Sequence, residues 1–381
     1  MKIGIVCYPT FGGSGVVATE LGKALADRGH QVHFITYNQP ARLDFFSANL
    51  FYHEVSVSKY PLFDYQPYEL ALASRMVDVV RFEKLDLLHV HYAIPHASAA
   101  FMAKQILLTY GIYIPVVTTL HGTDITLVGK DRTFKPVVTF SINKSDGVTA
   151  VSQNLRDNTY EFFEIERDIK VIPNFIDLSR FSLKAKDHFK KAIAPEGEKI
   201  LIHTSNFRRV KRTEDVIRIF AKVIQKIPSK LLMVGDGGER SDCEQLCRDL
   251  GVSANVRFLG KQDAIEEILS VGDLFLMPSQ SESFGLAALE AMACKVPVIS
   301  SNAGGLPELN VDGVTGYLKD VGDVDGMAEK AIYILEDEAR LAQFKDNALA
   351  RAKEFDLTNI LPQYENYYAE VLEQAKASNL S

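Results

Sequence analysis

Glu282 and Glu290 are the residues whose type and spacing most clearly suggest chemistry, because they stand eight positions apart on either side of a glycine. Glu282 opens the segment Glu282-Ser283-Phe284-Gly285, which leads into a mostly apolar stretch predicted to be a helix carrying Glu290. If every step were helical, the carboxylates would point about 80° apart and stand ~12 Å apart along the axis. That separation is close to the reach from a sugar ring to a ribose across a diphosphate, and vicinal hydroxyls at both ends can donate to the carboxylates. The pair therefore predicts a nucleotide-sugar site with the helix N-terminus facing the diphosphate, whereas a solvated pair of helix carboxylates fits the apolar helix poorly.

A basic cluster follows a short apolar run that is predicted to be the first strand of a second domain. It consists of four cations within five residues, Arg208, Arg209, Lys211 and Arg212. Such charges repel one another unless an anion lies among them. Fixed positive charge at a strand end can stabilise the charge that develops on a leaving diphosphate. A solvated basic loop is the alternative, and the position at a predicted ligand-binding edge favours the diphosphate.

The glycine-rich segment Gly12-Gly13-Ser14-Gly15 follows the first predicted strand and leads into a helix. Free backbone N–H groups at a helix N-terminus bind phosphate, and glycines let the phosphate approach closely. The segment is not a G-x-G-x-x-G fingerprint, and Tyr37-Asn38 stand at the end of the second strand in place of an acidic residue. A dinucleotide site is therefore disfavoured, and a tight turn without a ligand remains the alternative.

Short apolar runs alternate with helical patterns along the chain, which is typical of parallel α/β sheets. The predicted strands of the first part are Lys2–Cys7, Gln31–Tyr37, Leu87–His91, Val116–Leu120 and Gly147–Val151. Those of the second part are Lys199–Ser205, Lys230–Val234, Asn255–Leu259, Leu274–Pro278 and Pro297–Ser300, and the clearest helices are Val16–Arg28 and Thr213–Lys226. We therefore predict an α/β protein with two Rossmann-like doubly wound domains, at 1–170 and 171–363, and a C-terminal helix at about 364–381 that could pack back on the first domain. The Pro-containing stretch 171–177 suits the connection, and ligands are expected at the carboxyl ends of the strands.

Composition narrows the function classes. The 381 residues carry a net charge of −7, so a nucleic-acid partner is not expected. The four cysteines are too few and too scattered for a disulfide framework, and Cys243 and Cys247 are expected to be reduced thiols that pack a helix. No apolar run approaches the roughly 18 residues of a membrane span, and the N-terminal run is too short for a signal peptide. The sequence therefore predicts a cytoplasmic protein without a membrane partner, and it leaves the oligomeric state open, a homo-oligomer included.

Taken together, these motifs resemble the retaining GT-B glycosyltransferases of family 4. The resemblance spans nearly the whole chain and also rests on five further segments, Val171–Asp177, Val234–Gly237, Val256–Gly260, Val296–Ile299 and Gly304–Glu308. It implies the GT-B fold, in which the two Rossmann-like domains face a central cleft.

The resemblance also implies roles for individual residues. Glu290 would hold the ribose hydroxyls, Glu282 a hydroxyl of the donor sugar, and Lys211 with a preceding arginine would neutralise the diphosphate. Many relatives have arginine where this chain has Asn206, so Arg208 or Arg209 is expected to replace it, and the sequence does not decide which. The implied donor-binding residues are Gly15, Asn206, Arg208, Arg209, Lys211, Gly235, Gly260, Lys261, Glu282, Ser283, Phe284, Gly285, Leu286 and Glu290, with uracil at Gly260-Lys261. The implied catalytic residues are Lys211, Glu282 and His121. His121 matches the family's histidine near the anomeric centre and the C6 hydroxyl of the donor.

The chemistry of the family retains the anomeric configuration without an obvious enzyme nucleophile. In the favoured mechanism the acceptor attacks from the front face, and a leaving-group phosphate oxygen takes its proton. Asp124, close to His121 in sequence, is the alternative as a base. No metal cofactor is expected, because the positive cluster can replace a divalent ion and because His89, His91 and His96 lack carboxylate partners.

Three segments of the first domain narrow the resemblance to members of the family that open bacillithiol biosynthesis. They are Tyr8–Gly15, His89–His96 and Thr119–Thr126. The implied reaction transfers GlcNAc from UDP-GlcNAc to the hydroxyl of L-malate. The predicted acceptor-binding residues are Ser14, Tyr92, Thr119 and Thr123, and the malate carboxylates would need a cation, for which Lys130, Arg132, Lys135 and Lys144 are candidates.

Other activities remain as alternatives to that reaction. A different small-molecule or lipid acceptor is the first of them. A UDP-GlcNAc 2-epimerase is the second, although it would be expected to carry additional carboxylates in the cleft.

Overall fold

The computed structural model describes residues 1–10, 12–43, 47–57, 66–129, 131–181 and 187–379. The chain divides into two compact units, which are Met1–Asn174 with Thr358–Ser381, and Phe175–Leu357. The chain therefore enters the second unit once and returns to the first for its last helix.

The first unit is built on a parallel sheet of seven strands in the order β3-β2-β1-β4-β5-β6-β7. Its strands are β1 Lys2–Val6, β2 Gln31–Thr36, β3 Leu50–Glu54, β4 Leu87–His91, β5 Val116–Leu120, β6 Gly147–Ala150 and β7 Ile169–Val171. Its first five helices are α1 Gly13–Asp27, α2 Tyr68–Glu83, α3 Ser98–Thr109, α4 Lys135–Lys144 and α5 Gln153–Phe162. Strands such as Val116–Leu120 are buried at every position, which is why their sequences read as continuous apolar runs.

The second unit repeats this plan with six parallel strands in the order β10-β9-β8-β11-β12-β13. Its strands are β8 Lys199–Thr204, β9 Ser229–Val234, β10 Val256–Gly260, β11 Leu274–Met277, β12 Val298–Ser301 and β13 Gly316–Lys319. Its helices are α6 Asp187–Ile193, α7 Thr213–Val223, α8 Arg240–Asp249, α9 Ile265–Leu269, α10 Leu286–Ala293, α11 Leu306–Leu309, α12 Val324–Leu335 and α13 Glu338–Glu354. The two parallel-sheet Rossmann-like units confirm the predicted α/β fold class.

The strand orders locate the ligand-binding edge of each unit. In the first sheet the order reverses between β1 and β4, and in the second between β8 and β11. Loops that follow two such strands leave in opposite directions and open a crevice at the carboxyl edge of the sheet. The glycine-rich segment follows β1, the basic cluster follows β8, and Glu282 follows β11.

The C-terminal helix, α14 Leu357–Asn379, packs on the first unit. The side chains of Tyr364 and Tyr368 are fully buried, and the Tyr368 hydroxyl lies 2.7 Å from Nδ1 of His89 on β4. The Tyr367 hydroxyl accepts the backbone N–H of Val148 on β6 at 2.8 Å. These contacts make α14 part of the first unit although it follows the second unit in sequence.

Composition predicted reduced cysteines and no membrane-spanning segment. Cys7, Cys243, Cys247 and Cys294 are all buried free thiols, and burial raises the pKa of Cys247 to about 11. Cys243 and Cys247 therefore pack α8 as expected, without a disulfide. None of the helices within the described ranges combines the length and the apolar character that crossing a lipid bilayer requires.

Candidate active site

The two loops at the strand reversal of the second unit bring Lys211 and Glu282 into direct contact. The Lys211 ammonium forms an ion pair with the Glu282 carboxylate, and both side chains are largely buried. Ser279, two residues after the end of β11, donates to the same carboxylate oxygen at 3.1 Å. The backbone N–H of Gln280 donates to the carbonyl of Val210 at 2.8 Å, which fastens one loop to the other. The geometry thus places a fixed cation beside a fixed carboxylate at the carboxyl edge of the sheet.

The basic cluster divides into paired and exposed charges. Arg212, in a left-handed backbone conformation, donates from Nε to Asp215 at 2.6 Å, and Lys211 is paired with Glu282. Arg208 and Arg209 are exposed, and so is Asn206. The repulsion expected among the four cations is therefore relieved at two of them by carboxylates of the protein. Either exposed arginine is available to an anionic ligand.

Glu290 lies on α10, as predicted, with its side chain buried. The helix begins at Leu286, so Glu282 precedes it by four residues, and Gly285 turns the chain with a φ of +100°. The separation calculated for a continuous helix therefore does not apply to this pair. Phe284 anchors the turn by packing edge-on against Phe355, with ring centroids 5.5 Å apart. The backbone N–H groups of the first turn of α10, which begins at Leu286, have no acceptor within the helix itself.

Two glycines after β12, Gly304 and Gly305, support the loop that carries Glu282. Gly304 has a φ of +60°, and a Cβ added there would lie 1.8 Å from the carbonyl oxygen of Glu282. Gly305 donates its backbone N–H to the same carbonyl at 2.9 Å. The loop after β12 therefore fits against the Glu282 backbone only when residue 304 has no side chain.

We expect Gly304→Ala to lower kcat/KM for the sugar donor by roughly a hundredfold, because shifting a positioning group by about 1 Å has an effect of that size. The matched control is Gly251→Ala. Gly251 has a φ of +69° and open space where a Cβ would be. Gly251→Ala therefore has the same backbone strain as Gly304→Ala, about 1–2 kcal/mol, but displaces no neighbouring loop. Thermal unfolding and donor kinetics of both variants separate strain from displacement. Equal donor kinetics in the two variants would contradict the supporting role of Gly304.

The loops after β9 and β10 meet at two of the predicted donor-binding residues. Gly235 donates its backbone N–H to the carbonyl of Gly260 at 2.8 Å, and both have a positive φ. A Cβ on Gly235 would lie 1.8 Å from the carbonyl oxygen of Ser205, so this loop also packs closely on the residue that follows β8. Lys261 follows as an exposed side chain. Three neighbouring strand ends thus form one continuous edge.

In the first unit, the loops after β1, β4 and β5 hold the other predicted residues. The Tyr92 hydroxyl donates to Ser14 Oγ at 2.7 Å, which joins two of the predicted acceptor-binding residues. His121 Nε2 lies 2.8 Å from Nδ1 of His91 and shares a hydrogen bond with it. Thr123 is partly buried in the turn that follows His121.

The glycine-rich segment differs from the predicted loop, because α1 begins at Gly13 rather than at Val16. Gly12 is the residue before the helix, and Gly13, Ser14 and Gly15 form its first turn. Gly15 is buried, and a Cβ there would lie 2.4 Å from the carbonyl oxygen of Thr10. The first-turn N–H groups remain free of helical partners, so the expected phosphate-binding feature is a helix end.

Thr119 lies within β5 and is fully buried, away from the loops. Its hydroxyl contacts His89 Nε2 and the Thr149 hydroxyl, each at 2.7 Å. An acceptor molecule cannot replace those partners without opening the sheet, since both contacts are in the interior. The acceptor proposal therefore rests on Ser14, Tyr92 and Thr123.

The histidines around His121 are neutral at pH 7. Burial lowers the pKa of His89 to about 3 and of His96 to about 4, and it lowers the pKa of His91 and His121 in the same direction. His121 can therefore offer a hydrogen bond to a ligand, but it carries no charge that would stabilise a leaving group.

The structure does not single out a cation for an acidic acceptor. Lys130 lies outside the described residues, and Arg132, Lys135 and Lys144 are exposed.

Ser279 is a further residue of the candidate site, and it was not among the predicted ones. Its position in the sequence could have indicated this role, because it is a small polar residue directly after the predicted strand Leu274–Pro278.

Metal ligands are available elsewhere in the described part of the chain. Two clusters there could each offer three ligands, His33 with His53 and Glu83, and Glu214 with Glu239 and Asp242. Neither cluster contains a predicted site residue. The expectation that no metal takes part stays a prediction.

Two families match consecutive parts of the chain. Residues 11–180 match the family described as Glycosyltransferase Family 4, and residues 184–351 match Glycosyl transferases group 1. The first match covers most of the first unit and the second covers most of the second unit.

Relatives and solved structures extend this similarity over nearly the whole chain. N-acetyl-alpha-D-glucosaminyl L-malate synthase of Bacillus anthracis is 49% identical over 99% of this chain and 98% of its own. Among solved structures, Anabaena HepE in complex with UDP and glucose superposes with a TM-score of 0.83 at 22% identity, over 97% of this chain and 100% of that one. Sucrose-phosphate synthase from Thermosynechococcus elongatus gives a TM-score of 0.81 at 22% identity, over 98% and 100% of the two chains. These two structures show the fold.

Proposed function

This chain belongs to glycosyltransferase family 4, with the GT-B fold, and we propose that it transfers GlcNAc from UDP-GlcNAc to the hydroxyl of L-malate, giving GlcNAc-α-L-malate. The observation that carries the proposal is the 49% identity to the Bacillus anthracis synthase over 99% of this chain. That it is a sugar-transferring enzyme follows from the family. The donor, the acceptor and the place as the first step of bacillithiol biosynthesis are what we propose.

The donor side of the proposal uses the loops of the second unit. Glu290 holds the ribose hydroxyls, Glu282 a hydroxyl of GlcNAc, and Lys211 with Arg208 or Arg209 faces the diphosphate. Uracil lies against Gly260 and Lys261. The Lys211–Glu282 ion pair supports this assignment, because a carboxylate held beside a cation presents both groups at a fixed separation. HepE, which shares the fold, is solved with UDP.

The proposed reaction retains the anomeric configuration. The malate hydroxyl attacks the anomeric carbon from the face that UDP leaves, and a phosphate oxygen of the leaving group takes the hydroxyl proton. Lys211, the exposed arginines and the N-terminus of α10 stabilise the charge on that phosphate, so the mechanism needs no enzyme nucleophile and no divalent metal. His121 hydrogen-bonds to the sugar near the reacting carbon.

Malate-dependent release of UDP tests the proposal directly. We expect the protein to release UDP from UDP-GlcNAc in the presence of L-malate and not in the presence of succinate, which has both carboxylates but lacks the hydroxyl. Anomeric coupling constants measured by NMR on the product should report the α configuration.

Two results would redirect the assignment. Formation of UDP-ManNAc without an acceptor would indicate an epimerase. Turnover only with another acceptor would overturn malate, and D-inositol 3-phosphate is one to include, since a glycosyltransferase named for it is 26% identical over 96% of this chain.

A further inference from the structure

Asp124 joins two loops of the first unit through a single buried carboxylate. Its side chain is 2% exposed. One oxygen accepts the backbone N–H of Ala93 at 2.9 Å, and the other accepts the backbone N–H of Gly122 at 3.0 Å. Because both oxygens bind backbone N–H groups, this carboxylate is not placed to take a proton from an acceptor hydroxyl. The alternative of Asp124 as the base is therefore disfavoured.

The two N–H groups belong to the peptides that directly follow Tyr92 and His121. Tyr92 has a φ of +84° and Gly122 a φ of +111°, so both loops turn sharply where the carboxylate holds them. His91 and His121 share a hydrogen bond across the same two loops. The Asp124 carboxylate consequently fixes the backbone behind both side chains.

We propose that Asp124 is a positioning residue, whose ionised carboxylate holds Tyr92 and His121 at the separation that productive acceptor binding requires. This inference rests on the proposed function. It makes acceptor use, rather than nucleotide binding, depend on the charge of one buried carboxyl group.

Ionisation matters because protonation weakens these contacts. Burial raises the pKa of Asp124 to about 6, and the backbone N–H groups of Ala93 and Gly122 oppose that shift. A carboxyl O–H turned toward a backbone N–H puts two donors face to face, so one of the two contacts is lost. Acceptor use should therefore fall as the pH is lowered through about 6.

The effect on folding stability has the opposite sign. A carboxyl group whose pKa is raised in the folded state favours folding most below its unfolded pKa, and that contribution is lost as the pH rises through about 6. Lowering the pH from 7 to 5 therefore does not weaken the fold through Asp124. A loss of activity over this range cannot be explained as unfolding driven by this group.

Other groups near the two loops do not account for a titration near pH 6. Burial lowers the pKa of His91, His96 and His121 and raises the pKa of Tyr8 and Tyr68, so these side chains stay neutral. The helices packed against the loops contribute the charged residues Glu69, Arg75, Asp78, Arg81, Glu83, Lys104, Lys135, Lys144, Arg156, Asp157 and Glu161. Within the described residues, the pKa of Asp124 is set by burial and backbone N–H groups, not by any of these charges.

Asp124→Asn tests the proposal, because the amide keeps the shape and presents a donor where the carboxylate accepted. We expect kcat/KM for L-malate at pH 8 to fall roughly tenfold to a hundredfold, the equivalent of one charge-assisted hydrogen bond. The wild-type value should decline from pH 7.5 to 5 with an inflection near 6, whereas the variant should be flat, so that the two values converge as the pH is lowered. Affinity for UDP, measured by calorimetry at pH 8, should not change. Asp157→Asn, the same substitution at an exposed position on α5, should behave as the wild type.

Two outcomes overturn the inference, namely wild-type kinetics in Asp124→Asn at pH 8 and an unchanged inflection near pH 6 in that variant. Absence of malate-dependent turnover in the wild type would instead overturn the proposed function. In that case, or if the variant does not fold, hydrogen exchange of the wild type decides. The protection factors of the Ala93 and Gly122 amides should decrease as the pH falls below about 6, and constant protection would contradict the role of Asp124.

Discussion

Replacing Lys211 with alanine is expected to lower kcat by roughly two to three orders of magnitude. A preorganised charge aimed at a leaving group has an effect of that size on transition-state stability. The side chains of Lys211 and Glu282 are only 18% and 11% exposed, so water screens the cation less than at the surface. The substitution also leaves Glu282 partly buried without its cation, which adds to the loss. Steady-state rates of UDP release with saturating UDP-GlcNAc and L-malate measure the effect.

Lys222→Ala is the matched control for this prediction. Lys222 forms an ion pair with Asp325, and both side chains are about half exposed or more, so its removal should leave kcat unchanged. If Lys211→Ala retained more than a third of the wild-type kcat, the charge on the leaving diphosphate would have to be stabilised by Arg208, Arg209 and the helix end alone.

Glu290→Ala is expected to weaken the binding of UDP and of UDP-GlcNAc alike by about 1.5–3 kcal/mol, or roughly tenfold to a hundredfold in Kd. The reason is the loss of charge-assisted hydrogen bonds to the ribose, which both ligands share. Glu282→Ala should leave the affinity for UDP nearly unchanged and weaken the binding of UDP-GlcNAc, because the proposed function assigns that carboxylate to the sugar. Isothermal titration of each variant with each ligand gives the four constants.

Glu290→Gln separates charge from packing in this comparison, since Glu290 is buried on α10 and alanine would also leave a gap. Glu329→Gln, at an exposed position on α12, serves as the surface control. Equal losses for both ligands in the Glu282 and Glu290 variants would show that the division into a sugar-facing and a ribose-facing carboxylate is wrong.

The strands that sequence predicted best are those buried on both faces. Leu87–His91 and Val116–Leu120 agree at both ends with β4 and β5, and each of the other predicted strands agrees to within one residue at either end. Three strands were missed, β3, β7 and β13. β3 and β13 expose part of their surface and β7 has only three residues, so none of them reads as an apolar run of ordinary length. The apolar pattern of a strand reflects how deeply it is buried, and strands at the edge of a sheet are buried least.

The candidate site was predictable where one segment carries the signal and not where two segments meet. Glu290 on its helix follows from local pattern. The Lys211–Glu282 ion pair joins residues 71 positions apart, and the Ala93–Asp124 contact joins residues 31 apart. The order of the strands in each sheet creates both contacts, and local patterns in the sequence do not reveal that order. Thr119 shows the reverse case, because it lies near the end of a predicted strand while its hydroxyl is buried against side chains of the neighbouring strands.

The late return of α14 to the first unit has a consequence for the order in which the molecule is completed. During synthesis the second unit, Phe175–Leu357, emerges whole while the first still lacks its final helix. The hydroxyls of Tyr367 and Tyr368, which bind β6 and β4, arrive last. A nascent chain therefore holds a complete domain whose sequence is inserted into that of an incomplete one, and the surface that α14 will cover stays open until α14 has been synthesised. The loop that carries Tyr92 extends from β4, one of those two strands, so the support of that loop is complete only once α14 has packed.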